Sequence, residues 1–331
     1  MKRTLNQILC GAALISTLCS CNEKEIISTG ESGYIRTVVS VIGDISTKAT
    51  GVTAAEEENI NNLQLFVFDE KGVKEYYVDA GGSSSSEIVS KDGKKSIVAI
   101  VNAPSLKDIG TKTELMAHSS YLSDNSLGSL VMTGEVEAVI QHDGKITIPV
   151  TRIISKITIK KITSAFTSAF SSKELKIKSI YLINVAGDNS FSASSSPTLW
   201  YNKLYDGRND SGCKSFPLLS DPVNSTVAAK SSYTKDHSFF CYPNMVQDES
   251  FDSTWSPRHT MLVVDALLGG EQTYYPIELP VIGRNKCIII DELILTRKGS
   301  DYPYIPVSDE DCTATVTVVP WDVILEHTET I

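Results

Sequence analysis

Histidine and cysteine are scarce in this 331-residue chain, at five and seven residues. No stretch reaches the ~18 consecutive apolar residues that would cross a bilayer as a helix. Positive charge is also short, since 30 Lys and Arg against 40 Asp and Glu leave a net charge of −10. A nucleic-acid binder, or a protein docking on anionic lipid, needs a basic face, so both classes are disfavoured. The phosphate-cradling patterns GxGxxG and GxxxxGK(S/T) are missing, as are the HExxH zinc signature, the GxSxG nucleophile turn and the DxDxDG calcium loop. His118, His142, His237, His259 and His327 lie in turn-like or polar contexts without i, i+4 pairing and read as solvated loop residues. The acidic pairs Asp291-Glu292 and Asp309-Glu310-Asp311 read as solvated turns in preference to glycosidase carboxylates. No catalytic residue, metal site or cofactor is expected.

What is present is ordinary globular composition, 41% hydrophobic and 21% charged, with a length that suits two domains at roughly 100–200 residues each. Lys2 and Arg3 precede an apolar run from Ile8 to Leu18, the length of an export-signal core. The run ends Leu18-Cys19-Ser20-Cys21, which resembles a bacterial lipobox, so residues 1–20 are expected to be a signal peptide and Cys21 the lipidated first residue. Ordinary signal-peptidase cleavage is the competing reading. Loss of Lys2 and Arg3 takes the mature charge to 28 − 40 = −12. Four cysteines then remain in the C-terminal half, Cys213, Cys241, Cys287 and Cys312, at spacings that fit no CxxC metal site. They are either paired in an oxidising compartment or buried free thiols.

Along the chain, a polar tether at 22–32 leads to a strand in which Ile35, Thr37, Val39 and Val41 form one face, with Arg36 and Ser40 opposite. Residues 43–59 are rich in Gly, Thr, Ser and Glu, carry the single basic residue Lys48, and read as an exposed linker open to cleavage. From Ile60 onward, short β-branched and aromatic runs alternate with Gly, Asn, Asp and Ser clusters. Strands are expected at 62–68, 73–78, 96–101, 129–139, 145–149 and 153–162, with one helix within 105–118. A second set is expected at 175–185, 239–242, 261–266, 273–279, 286–296 and 313–319. Strands this short and this closely spaced predict an all-β, mostly antiparallel architecture of two tandem β-sandwiches. The polar stretch 186–237 is too long to be an inert connection and reads as an elaborated loop or an extra hairpin layer.

Seven stretches carry a resemblance when taken in order behind the lipobox: ENINNLQLFVFDEKG (58–72), IVAIVNAP (97–104), RIISKI (152–157), IYLIN (180–184), FCYPN (240–244), GRNKC (283–287) and TVTVVPW (315–321). Together they resemble the fimbrillins of Bacteroidales, the FimA/Mfa-like subunits of type V pili. Cys287 departs from the pattern, standing where an aromatic is commoner, and 186–237 follows none.

The resemblance implies two transthyretin-like β-sandwich domains with few short helices, and assembly by strand exchange. In that scheme the lipoprotein reaches the outer membrane, and a trypsin-like protease specific for Arg or Lys cuts in the loop behind the first strand. That strand leaves, and another subunit's C-terminal strand fills the groove. The chain then divides into signal peptide 1–20, tether and removable strand 21–48 (Ile35, Val39, Val41), N-terminal sandwich 49–165 and C-terminal sandwich 166–331. The expected cut is Lys48-Ala49, with Arg36 the alternative; the expected donor strand is 313–331, carrying Ala314, Val316, Val318, Trp321, Val323 and Leu325. Pro320 interrupts this run, which suggests two short strands, one docking locally and one in trans. Trp321 fits either an anchor in a pocket or the core of its own domain.

The expected partners are further copies or other fimbrial subunits, the processing protease, the outer membrane through the lipid before processing, and a host or bacterial surface ligand. The favoured role is a stalk subunit supporting adhesion. The alternatives are a tip or anchor subunit, or a monomeric surface lipoprotein binding glycan on Trp200, Tyr201, Tyr205 and Trp255.

Overall fold

The computed structural model describes residues 34–43, 55–192, 196–205, 208–209, 218–247, 249, 255–308 and 311–321. Its first strand, β1 (Tyr34–Gly43), is followed by the short 3-10 turn Ala55–Glu58 and by β2 (Leu63–Phe68), β3 (Lys74–Asp79), β4 (Ser85–Lys91) and β5 (Gly93–Val101). Helix α1 (Lys112–Ala117), β6 (Ser119–Tyr121), β7 (Met132–Ile140) and β8 (Gly144–Arg152) complete the first part. Strands β1 to β5, β7 and β8 form one seven-stranded sheet in the order β3-β2-β5-β7-β8-β1-β4. The β7–β8 ladder is confined to Met132–Arg152 and Thr133–Thr151, and there the sheet folds over on itself. Its two halves close on a core that includes Val39, Val41, Leu65, Val67, Ile88, Ile97, Ile148 and Val150.

Strands β2 and β5 explain why both halves hold together. Every residue of β2 is buried, and so is β5 from Lys95 to Val101. Leu63, Leu65, Val67, Ile97, Ala99 and Val101 face the core just described, while Phe66, Phe68, Val98 and Ile100 face a second, larger one. A strand covered on both faces reads as a continuous apolar run, as LQLFVF and SIVAIV do.

The remaining strands are β9 (Ser155–Ile159), β10 (Ile162–Ser164), β11 (Leu175–Ile183), β12 (Val185–Ala186), β13 (Asp188–Ser190), β14 (Trp200–Tyr201), β15 (Leu204–Tyr205), β16 (Arg208–Asn209), β17 (Ser220–Val227), β18 (Ser232–Tyr233), β19 (His237–Cys241), β20 (Met261–Leu268), β21 (Glu271–Glu278), β22 (Lys286–Leu295) and β23 (Cys312–Pro320). Strands β17-β11-β20-β21 form one sheet; β18-β10-β22-β9-β19, with β23 added on β22, form the other. The second core runs from Phe66 and Ile100 through Ile157, Ile180, Phe240 and Leu262 to Trp321, and the residues from Gly33 onward form one compact unit. Pairing is antiparallel except for β1 with β8 and for β9 and β10 with β22.

Some expectations change. Residues 155–164, which the 49–165 boundary assigns to the first sandwich, pair with strands of the second half. The helix expected within 105–118 shrinks to six residues, opened by Thr111, whose hydroxyl accepts from the Glu114 N–H. The stretch 186–237 is neither one loop nor one hairpin: β17 joins the β11 sheet, and β13 pairs with β6 from the first half. Among the described residues no helix is long and apolar enough to cross a membrane.

Candidate functional site

Strand β1 lies between two neighbours, antiparallel to β4 (Tyr34–Ser40 against Lys91–Ser85) and parallel to β8 (Thr37–Gly43 against Gly144–Val150). Its alternation places Thr37, Val39 and Val41 inward and buried, with Ile35 partly buried, while Arg36, Val38 and Ile42 face solvent. The Thr37 hydroxyl donates to the Gln141 carbonyl at 2.8 Å. Arg36 pairs with Glu87 at 2.6 Å on the exposed face, and its carbonyl accepts from the Asp143 N–H. As the alternative cut site, Arg36 therefore sits inside a strand paired on both sides.

Taking β1 away would strip Val39 and Val41 from the core, uncover Ile88, Ile148 and Val150, and leave one edge each of β4 and β8 unpaired. At ~1.5–3 kcal/mol for each fully buried Val, two such side chains contribute roughly 3–6 kcal/mol to whichever strand fills the slot. Beyond its ladder to β1, β4 is fixed by a buried polar cluster. The Glu75 carboxylate accepts from the Ser90 hydroxyl at 2.8 Å and from the Lys95 ammonium at 2.9 Å.

Towards the other end of the chain, β23 pairs, among the described residues, with β22, from Cys312–Leu295 to Pro320–Lys286, with a register shift at Ile290/Glu292. Ala314 is partly buried, whereas Val316 and Val318 are 36% and 46% exposed. A strand at the edge of a sheet is a template for pairing with another chain, and the exposed residues here are two threonines, Thr313 and Thr315, with Val316, Val318 and Pro320. The run ends in Trp321, which is buried against Phe240 with ring centroids 5.8 Å apart. Its indole N–H donates to Glu57 Oε2 at 3.0 Å, and the Arg152 guanidinium lies 4.7 Å from the ring centroid. Lys156 Nζ donates to Glu57 Oε1 at 2.6 Å, and Arg152 Nε to the Glu57 carbonyl at 3.2 Å. Trp321 is thus a buried side chain of its own subunit; Arg152 and Lys156 stand in the stretch RIISKI, where nothing local points to the tryptophan. Glu57 looked like the end of a polar linker, with nothing nearby in sequence to mark it.

Cys21, Lys48, Ala49, Cys213, Val323 and Leu325 lie outside the described residues. Cys241 and Cys287 are free thiols, and burial pushes the Cys241 thiol up to about 12. His237 is not a solvated loop residue: it is buried in β19, with Nδ1 2.5 Å from Asp221 and Nε2 2.8 Å from the Tyr233 hydroxyl. Asp291 and Glu292 are ion-paired to Lys160 and Lys161 at 2.9 Å each. Trp200 is buried in the large core, its ring 5.4 Å from that of Trp255, so it packs beneath the surface and offers no open stacking face. Among the described residues no group of His, Cys, Asp and Glu is placed to hold a metal.

Residues 38–173 match the family model of the major fimbrial subunit protein FimA. Among solved structures, the fold is similar to a candidate cell adhesion protein from Bacteroides eggerthii, at 19% identity and a TM-score of 0.65, covering 87% of this chain and 96% of that one. It is also similar to a fimbrilin (FimA) from Porphyromonas gingivalis, at 15% identity and TM-score 0.60, covering 87% and 98%. The tip fimbrial protein Mfa3 from Porphyromonas gingivalis, solved with a C-terminal truncation, matches at 12% identity and TM-score 0.54, covering 87% and 100%. No curated protein matches the chain. The resemblance to the Bacteroidales fimbrillins, and the all-β fold that it implies, are borne out.

Proposed function

We propose that this fimbrillin relative is a structural subunit of a cell-surface fimbria, of the stalk type, assembled by strand exchange and without catalytic activity. The observation that carries the reading is β1: a strand seated between two others, with its apolar face in the core, and followed along the chain by residues 44–54 before the next described element. Its loss leaves a slot with two open ladders and an apolar floor, which is what an added strand needs for both affinity and register. Strand β23 supplies the partner: among the described residues it is laddered to β22 on one side, and Val316 and Val318 are exposed. Export as a lipoprotein through Cys21, delivery to the outer membrane, cleavage at Lys48-Ala49 by a trypsin-like protease, and donation by residues 313–331 complete the scheme. The neighbours in the fibre are further copies or other fimbrial subunits, and the fibre supports adhesion to a host or bacterial surface.

Native trypsin treatment of the exported protein tests this. The expected result is one new N-terminus at Ala49, SDS-resistant ladders on a gel, and loss of the ladders when residues 313–331 are deleted or when Lys48→Gln blocks the cut. A protein that stays intact and monomeric while it is retained on a polysaccharide column would replace this reading with the glycan-binding one.

A further inference from the structure

We infer that Glu57, Lys156 and Arg152 form a latch that holds Trp321, and with it the C-terminal strand, on its own subunit until assembly. The inference rests on the strand-exchange reading and names what that reading leaves open: the same strand has to be retained in the free subunit and released to the next one.

Three separate parts of the chain meet at Trp321. Glu57 belongs to the 3-10 turn at Ala55–Glu58, Arg152 ends β8, and Lys156 lies in β9. Each carboxylate oxygen of Glu57 accepts one donor, the Trp321 indole N–H at 3.0 Å and the Lys156 ammonium at 2.6 Å. The Trp321 backbone N–H also donates to the Asn285 carbonyl at 3.2 Å, at the turn leading into β22. Glu57, Arg152 and Trp321 are 7%, 6% and 6% exposed. A buried carboxylate that loses one donor is left with an unsatisfied oxygen, so the arrangement favours the docked indole strongly. By contrast, the outward Val316 and Val318 do little to hold β23 down. Glu57 also stands nine residues after Lys48 (57 − 48). It stays on the subunit after the proposed cut, but the cut severs the chain that ties its turn to β1.

The experiment compares the parent with Glu57→Gln, which leaves the buried ring intact, and with Trp321→Phe, which removes the indole donor together with part of the ring. Amide hydrogen exchange of residues 312–321 is followed in the uncut proteins, and the rate of ladder formation after trypsin in the cut ones. Both variants are expected to show about tenfold lower protection of β23, equivalent to ~1.4 kcal/mol, and about tenfold faster ladder formation, with circular dichroism unchanged. Protection and ladder rates equal to the parent's in both variants would overturn the latch. A parent that is cut and forms no ladders would overturn strand exchange instead, and the exchange data alone would then decide whether Glu57 holds the strand.

Discussion

If β1 is discarded on assembly, its buried side chains stabilise only the unprocessed subunit, and that separates its residues from those of the groove. Val39 is fully buried, and Val39→Ala deletes two methyl groups. Transfer alone amounts to ~0.8 kcal/mol per group, and the cavity left under rigid neighbours raises the total to ~2–3 kcal/mol. At roughly 2–4 °C per kcal/mol for a chain of this size, the uncut protein should melt about 5–10 °C lower. The assembled, cut form should be unchanged, because the altered strand is no longer in it. Ile148→Val, in β8, provides the contrast: it pairs with Val41 in the register, is fully buried, and belongs to the groove in either state. Its cost of ~0.5–1.5 kcal/mol should therefore appear in both forms. Differential scanning calorimetry of the uncut protein, and heat-dissociation of ladders on a gel, give the two readings. A Val39→Ala ladder that dissociates as many degrees early as the precursor melts would mean that β1 remains in the fibre, and the proposed exchange would be wrong.

Gly134→Ala should destabilise the fold by ~1–3 kcal/mol, since an added Cβ would lie 2.1 Å from the Pro149 carbonyl oxygen and 2.9 Å from Ile148 Cγ2 where β7 meets β8; an unchanged urea midpoint would refute that account of the sheet fold. Cys241 is fully buried, and burial pushes its thiol up to about 12, so the reactive thiolate is scarce at pH 8. Iodoacetamide should leave it unmodified in the native protein and label it in guanidinium, as read by peptide mass spectrometry; native labelling would contradict its burial. Burial pulls the His259 imidazole down, but the Glu278 carboxylate at its Nδ1, with Glu249 beyond, more than offsets this and leaves its pKa raised above 6.5. Its contribution to stability is therefore fully present below pH 6.5 and lost as the pH rises through the folded value. His259→Gln should flatten that part of the stability profile between pH 6 and 8, and an identical profile in the variant would discount the pair.

How much was legible depends on where the stabilising partner lies. The inward face of β1 followed directly from the alternation of Ile35, Thr37, Val39 and Val41, because one side of a strand over a core must be apolar. Strands β2 and β5 were equally plain from their unbroken apolar runs. Strand β4 was not, since SSEIVSK offers only Ile88 and Val89, and what makes it a strand is the ladder to β1, some fifty residues earlier in the chain. Strand β17 was hidden by Pro222 and by Asn224 at φ 48°, both placed near the register shift against β11. His237 was misread because its ring is held by Asp221 and Tyr233, on β17 and β18, strands that do not pair with its own β19. The surroundings of Trp321 were out of reach for the same reason: Glu57 lies 264 residues away from it, and no local pattern records such a meeting.

The seat of β1 also has a mechanical side. Ladders run along it on both flanks, over 34–40 against β4 and over 37–43 against β8, and their hydrogen bonds lie across the strand. A chain drawn lengthwise out of that seat loads both ladders in shear, so that many bonds must fail together. A chain peeled away from one end loses them singly, like a zipper. Whatever occupies the seat is therefore gripped hardest against tension along its own axis, and the direction of pull, as much as the number of buried valines, decides how long it stays there.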